Sequence, residues 1–371
     1  MKIVKGTYSS AKIFTDNIEE YAIAQIQMIC DNEAAKQSKI CIMPDVHPGK
    51  VGPVGLSMTV GERILPNLIG VDIGCGMSMI HIGDRKIEFQ KLDTVIREKI
   101  PAGFHIRKNP HHLSEDFDFS RLNCRKNINV DKAILSLGTL GGGNHFLEVD
   151  KDDQGRLYVT VHSGSRHLGA EVTEHYLKEG QKRLKEQGVQ VPYELTWLEG
   201  ELRGEYLRDL MIVQEYAALN RQIILKELEK SMKWKIKDFQ TCIHNYVSWQ
   251  GEDLILRKGA ISAKEGECVI IPINMRDGIL LGKGIGNPDW NNSAPHGSGR
   301  LLKRTDVARQ YTVSDFKKSM KGIYCNCIGK ETLDEAPFAY RGIDEIRDII
   351  GETVEIQKVI CPIYNFKAGS E

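Results

Sequence analysis

The stretch Gly70-Val-Asp-Ile-Gly-Cys-Gly76 constrains the chain more than any other, because it sets a carboxylate and a thiol three residues apart. Gly70, Gly74 and Gly76 let the backbone turn tightly and approach another group closely. The apolar run Met77-Ser-Met-Ile-His-Ile82 that follows reads as a strand, so Asp72 and Cys75 sit at a strand end and can aim at one point. Oxygen and sulfur donors together suit Mn, Fe, Co or Zn better than Mg or Ca. A buried, inert cysteine beside a turn-forming aspartate produces the same string, and taken alone that is the better reading. The rest of the chain decides between them.

At 371 residues, with 41% hydrophobic and 27% charged content, the chain has the makeup of a soluble globular protein with one large domain or two ordinary ones. Lys plus Arg equals Asp plus Glu at 50 each, so any nucleic-acid surface must be a local basic patch. The nine cysteines are odd in number and scattered. Cys325-Asn-Cys327 lacks a second pair at zinc-finger spacing and reads as structural. Met1-Lys-Ile-Val-Lys5 has no apolar leader core, and no stretch reaches transmembrane length. The expectation is a reducing, cytoplasmic compartment with free thiols and no membrane partner.

Apolar spacing predicts a helix over 17–31, capped near Thr15-Asp16. A buried strand over Lys39-Ile-Cys-Ile-Met43 runs into a Gly- and Pro-rich loop, Pro44–Gly55, that holds Asp45 and His47. A second helix follows over 87–99, then a polar surface excursion over 105–131. The alternation from Leu137 to Arg166 is a β-hairpin pattern, with Asn144, His145 and Glu148 on one arm and His162 and Arg166 on or past the other. Two helices follow, near 169–187 and 204–231. The second shows a stripe of Tyr206, Leu210, Val213, Ala217, Ile224 and Leu228, assigned here to packing. Strands are predicted at 241–247, 253–257 and 267–273. A Gly-rich loop over 282–300 then holds His296 between Pro295 and Gly297, and a helix near 343–350 precedes a strand over 354–366 that leads to Lys367. Candidate residues spread from 45 to 367, and no repeat or linker divides them. That argues for one interwoven domain over 1–371.

Asp45, Asp72, Cys75, His145, His162, His244 and His296 are the ligand-type residues in or beside these loops and strand ends. A lone strand histidine is more often structural; several of them with an Asp and a Cys favour a metal. Two adjacent cations need a shared anionic ligand, and paired metals suit phosphoryl transfer. Gly141-Gly-Gly, Ser163-Gly-Ser-Arg166 and Gly297-Ser-Gly-Arg300 can cradle phosphates, with Arg166 and Arg300 as forks, although each singly is more readily a plain turn. Gly-x-x-x-x-Gly-Lys-Ser/Thr is absent, Gly282-x-Gly-x-Gly is a weak partial dinucleotide loop, and no Lys-x-Asp-Gly stretch occurs. If a covalent nucleotide forms, histidine is the nucleophile.

Nine stretches in register carry a resemblance. They are Met43-Pro-Asp-Val-His-Pro-Gly, Gly70-Val-Asp-Ile-Gly-Cys-Gly, Gly142-Gly-Asn-His-Phe-Leu-Glu, Val161-His-Ser-Gly-Ser-Arg, His244-Asn-Tyr, Arg257-Lys-Gly-Ala, Ser293-Ala-Pro-His-Gly-Ser-Gly-Arg, Asp334-Glu-Ala-Pro and Pro362-Ile-Tyr-Asn-Phe-Lys-Ala. Through them the chain resembles the RtcB-type RNA ligases along nearly its whole length. The resemblance implies a single α+β domain peculiar to that family, with mixed sheets, surrounding helices and a metal site in a central cleft. It implies joining of RNA 3′-phosphate or 2′,3′-cyclic-phosphate ends to 5′-hydroxyl ends, in RNA repair or tRNA splicing, with GTP and two Mn²⁺ ions. Asp72, Cys75, His145, His162 and His244 would hold the metals, with Cys75 bridging. His296 would carry GMP, helped by Asp45. Asn144, Glu148, His244, Asn245, Ser293, Gly297, Tyr340 and Lys367 would contact the nucleotide, and Arg166 and Arg300 the RNA.

The shorter branch of that family further implies a release-factor-like hydrolase or an archease-type activator as partner. Phe338, where a small residue is usual, is expected to narrow the base pocket. Lys182-Arg-Leu-Lys, Arg300-Leu-Leu-Lys-Arg and Lys317-Lys-Ser-Met-Lys are equally RNA patches or solvated helix faces. Two other readings stay open. A binuclear phosphohydrolase would use water as its only nucleophile, and a metal-stabilised RNA-binding scaffold would close its metal with four protein ligands.

Overall fold

Two β-sheets are joined where the chain passes from one to the other at His244. The computed structural model describes residues 2–84 and 86–369. One sheet has six strands in the order Lys2–Lys5, Ser10–Ile13, Lys39–His47, Val54–Val60, Asp253–Lys258 and Asn245–Gln250. The other has seven, in the order Asp238–Ile243, Gly76–Gly83, Leu157–Ser163, Phe146–Lys151, Val354–Lys367, Gly278–Gly284 and Cys268–Asn274. With the helices around them this is the expected α+β class.

The single strand expected at 241–247 is in fact two. Ile243 pairs with Gly76 in the seven-stranded sheet, whereas Asn245 pairs with Lys258 in the six-stranded one. The ladder changes partner at His244, whose N–H donates to the Cys75 carbonyl at 2.9 Å. A residue at such a switch belongs to neither pleat, and its side chain is free to face the gap between the sheets.

The strand Lys39–His47 runs four residues past its expected end, so Asp45 lies in a strand and not in the loop predicted there. Pro44 is the reason the sequence suggested a stop, because it has no N–H for a ladder. The pairing with Val54–Val60 slips between Ile42 and His47, and this irregularity accommodates the proline. Pro362 in Val354–Lys367 is accommodated in the same way, by a slip between Pro362 and Tyr364. Val54–Val60, of which only the first two residues fall in the loop expected over Pro44–Gly55, was not foreseen.

The helix Gly200–Met232 spans 33 residues and buries the expected stripe against the sheets. Excursion 105–131 is polar but anchored. The Asp209 carboxylate accepts from the N–H groups of Asn123 at 2.8 Å and Cys124 at 3.0 Å, and Phe117 and Phe119 pack edge-on against Tyr216. Helices Val130–Ser136, Arg304–Gln310 and Val313–Ser319 were not foreseen; at seven residues each they are too short for periodicity to declare them. Among the described residues no helix is long and apolar enough to cross a membrane.

Candidate functional site

Ends of strands from both sheets bring five ligand-type side chains into one buried cluster. Cys75, His162 and His244 form one group whose ligand atoms lie within 4.8 Å of each other, and Asp72, Cys75 and His145 form a second. Cys75 is common to both. Its Sγ lies 3.2 Å from Nε2 of His162 and 3.4 Å from Nε2 of His145. Nε2 of His145 is 2.9 Å from Oδ2 of Asp72, and the Nε2 atoms of His162 and His244 face each other at 3.3 Å.

The electrostatics suit cations. Burial, reinforced by neighbouring histidines, holds His162 and His244 well below the usual imidazole range, so their ring nitrogens keep lone pairs at neutral pH. Burial also pushes the Asp72 carboxyl up, but His145 outweighs it and the group is held at about 2. Burial and then Asp72 push the Cys75 thiol well up, an arrangement that a metal's positive charge would reverse. The donor set is one thiolate, one carboxylate and three imidazoles, and this mix of donors would suit borderline first-row cations.

Glycines make the cluster possible by close approach. A Cβ on Gly164 would collide with the Asp72 carboxylate, and one on Gly141, where φ is +90°, would collide with His145 and Arg166. Behind the cluster, Arg221 of the long helix is fully buried. Its Nη1 donates to the carbonyls of Gly74 at 2.7 Å and Ser163 at 2.9 Å, and its Nε donates to Ser78 Oγ at 3.0 Å. Asn220 beside it binds the Gly138 and Thr139 N–H groups and the Gly164 carbonyl. One helical turn thus clamps three of the loops that hold the ligands.

His296 stands at the edge of this cluster, its ring centroid 4.8 Å from that of His244. Its Nδ1–H donates to Oδ2 of the fully buried Asp45 at 2.7 Å. His296 opens on a pocket lined by Asn144, Phe146, Glu148, Tyr340 and Lys367. At one end of the pocket the buried Glu335 carboxylate receives Lys367 Nζ at 2.7 Å, Arg304 Nη1 at 2.5 Å, Arg300 Nη1 at 3.4 Å and the Tyr340 hydroxyl at 2.5 Å. Burial alone would raise Glu335; Lys367, then Arg304 and Arg300, hold it well below its ordinary value instead.

A family model described as tRNA-splicing ligase RtcB matches residues 30–130 and 115–368. The chain belongs to the RtcB family. Among its relatives, the RNA-splicing ligase RtcB of Escherichia coli strain K12 is 28% identical, over 94% of this chain and 96% of the relative. A second Escherichia coli protein, RNA-splicing ligase RtcB1, is 29% identical over the same shares. The tRNA-splicing ligase RtcB of Nanoarchaeum equitans is 24% identical, over 97% of this chain and 94% of the relative.

Set in this RtcB-family chain, most of the residues singled out by sequence converge. Asn144, Glu148, His162, His244, His296, Gly297, Arg300, Tyr340 and Lys367 line one pocket, with Asp45 behind it and Asp72, Cys75 and His145 beside it. Three do not reach the pocket: Asn245, Ser293 and Arg166. Asn245 spends its side chain on the Gly259 N–H at 2.9 Å and the Asp72 carbonyl at 3.3 Å, bracing backbone. The Ser293 hydroxyl is buried among Ser57, Asn291 and Arg257.

Arg300 is no free phosphate fork. Its guanidinium donates to the carbonyls of Leu302 and Asp334 and to the Tyr340 hydroxyl. Arg166 is likewise engaged, by Thr139 Oγ1 and the Gly103 carbonyl. Phe338 does not narrow the pocket; it stacks on Tyr311 with ring centroids 4.0 Å apart. Sequence reasoning missed Arg221, Asn220 and Glu335. A signal for the first two existed: the helical stripe 206, 210, 213, 217, 224, 228 has its gap at 220–221, and polar residues fill it.

Proposed function

We propose that this protein is an RNA ligase that joins a 3′-phosphate or 2′,3′-cyclic-phosphate end to a 5′-hydroxyl end, using GTP and Mn²⁺, in RNA repair or tRNA splicing. Membership of the RtcB family, and relatives named as RNA- and tRNA-splicing ligases, support the RNA-joining part. The observation that carries the nucleotide step is the His296–Asp45 pair, with His296 lining the pocket and Asp45 buried behind it. With Nδ1–H committed to Asp45, the lone pair of the neutral ring resides on Nε2, which makes that atom the nucleophile. Nε2 attacks the α-phosphorus of GTP and pyrophosphate leaves with the bonding electrons. Asp45 then faces an imidazolium, whose charge it offsets while it holds the ring in place.

Water first opens a cyclic end to the 3′-phosphate. An oxygen of the RNA 3′-phosphate then takes the guanylate from His296, and the 5′-hydroxyl, giving up its proton to solvent, attacks the RNA phosphorus and expels GMP. Glu148, Asn144 and Lys367 bind and orient the nucleotide. Asp72, Cys75, His145, His162 and His244 would hold two Mn²⁺ ions, which when bound neutralise charge on the attacking and leaving oxygens.

The test is incubation with α-labelled GTP and Mn²⁺, with ATP and a His296→Ala variant as controls, followed by denaturing electrophoresis. Acid-labile label that stays on the wild type and needs His296 is the expected result. No label, with phosphate released from RNA ends, would replace this reading with a binuclear phosphohydrolase.

A further inference from the structure

Lys367 lines the His296 pocket and also a groove of about 1110 Å³ that opens on the far side of it. One wall of the groove is the end of helix Phe89–Lys99 and the loop after it; the other is the segment 326–332. Six Lys or Arg side chains line it (Arg97, Lys99, Arg107, Lys108, Lys330 and Lys367) against two carboxylates, Glu98 and Glu331. In a chain whose overall charge balances to zero, that is a concentrated basic patch. Arg97 is tied to Asp93, and Arg107 to the carbonyls of Leu137 and Gly138. Lys99, Lys108 and Lys330 are exposed and make no ion pair among the described residues.

An exposed aromatic residue interrupts the lining. Phe104 lies between the lining residues Gly103 and His105, in a turn closed by His105 N–H to the Ala102 carbonyl at 3.2 Å. It is 79% exposed, more than any other large apolar side chain described. The turn is fastened to the cluster, because the Gly103 carbonyl receives Arg166 Nη2 at 2.7 Å and the neighbouring Ser165 N–H donates to Asp72 at 3.1 Å. Unpaired lysines along a groove, with an exposed ring carried between two of its lining residues, are what single-stranded nucleic acid needs: cations for phosphates and a face for a base.

We infer that this groove receives the single-stranded end of an RNA substrate, with Phe104 stacking on a terminal base and Lys99, Lys108 and Lys330 holding phosphates. The inference rests on the RNA-joining reading and locates its substrate. Two oligonucleotides test it, one ending in a 3′-phosphate and one in a 5′-hydroxyl, each with fluorescent 2-aminopurine as the terminal base. Binding to the wild type should quench one of them. Phe104→Trp should keep the quench; Phe104→Ala should lose it and weaken binding roughly tenfold. A Lys99→Glu, Lys108→Glu pair should weaken binding and lower the salt slope by about 2. Lys182→Glu with Lys185→Glu, on the separate helix Arg166–Glu186, controls for general charge and should bind as the wild type does.

Unchanged quench and affinity in both Phe104→Ala and the lysine pair would overturn the inference. Label uptake from α-labelled GTP is read on the same wild-type preparation. Its absence counts against the ligase reading, whereas loss of quench on removing Phe104 still upholds the groove.

Discussion

Nδ1 of His296 lies 2.7 Å from Oδ2 of Asp45, although 251 residues separate them. The same oxygen also accepts the His296 backbone N–H at 3.2 Å, so one buried carboxylate sets both the ring and the chain that carries it. Asp45→Asn keeps the shape and removes the charge. Label uptake from GTP should slow by about a hundred- to ten-thousand-fold, with metal content unchanged. Single-turnover labelling measures this; uptake at the wild-type rate would reduce Asp45 to a structural role.

Cys75 belongs to both ligand groups, and His145 and His244 to one each. After dialysis against Mn²⁺, elemental analysis should find near-complete loss of metal in Cys75→Ala but loss of about one ion in His145→Ala or His244→Ala. At free metal a hundredfold above Kd, each ion bound should stabilise the fold by about 2.7 kcal/mol, read as a higher Tm that a chelator removes.

Glu335 is buried against Lys367, Arg304 and Arg300. Removing its charge leaves three cations facing each other, so Glu335→Gln should cost about 3–5 kcal/mol in urea unfolding. Because its folded pKa is depressed below the ordinary 4.5, the stability it contributes is present above that value and lost as pH falls through the lower folded one. Wild-type stability should therefore decline on acidification below about pH 4.5, and Glu335→Gln should decline less.

Burial pushes the Glu148 carboxyl up to about 7, and the adjacent Asp150 is pushed up as well. A guanine base offers N–H donors, which the ionised carboxylate accepts with both charged oxygens, whereas the neutral acid keeps only its uncharged carbonyl oxygen as a good acceptor. GTP affinity, by titration calorimetry on either side of neutrality, should rise as pH passes upward through about 7. Glu148→Gln should flatten that dependence and weaken binding by about 2 kcal/mol, roughly thirtyfold.

The metal-type cluster was legible because its residues advertise themselves: ligand side chains at strand ends, flanked by glycines that a close approach requires. His296 was legible for the same reason. Arg221 was not, because it hides in a helix whose periodicity explains itself as packing; its gap at 220–221 carries meaning only once the loops of Gly74 and Ser163 are seen to converge there. Glu335 stood in the matching stretch Asp334-Glu-Ala-Pro without a role, since nothing local reveals that Lys367, Arg300 and Arg304 all return to it. The division at His244 was invisible for a different reason. Residues 241–247 read as one continuous strand-like run, and only the identity of the pairing strands changes.

The strand Val354–Lys367 lies between Phe146–Lys151 and Gly278–Gly284. Ribosomal synthesis makes both flanking strands well before the one that separates them. Until Lys367 leaves the exit tunnel, the middle of that sheet is a slot with two open edges, and the pocket beside His296 lacks a wall. The nascent chain therefore needs those edges shielded from other chains, and that pocket cannot hold anything before the sheet closes.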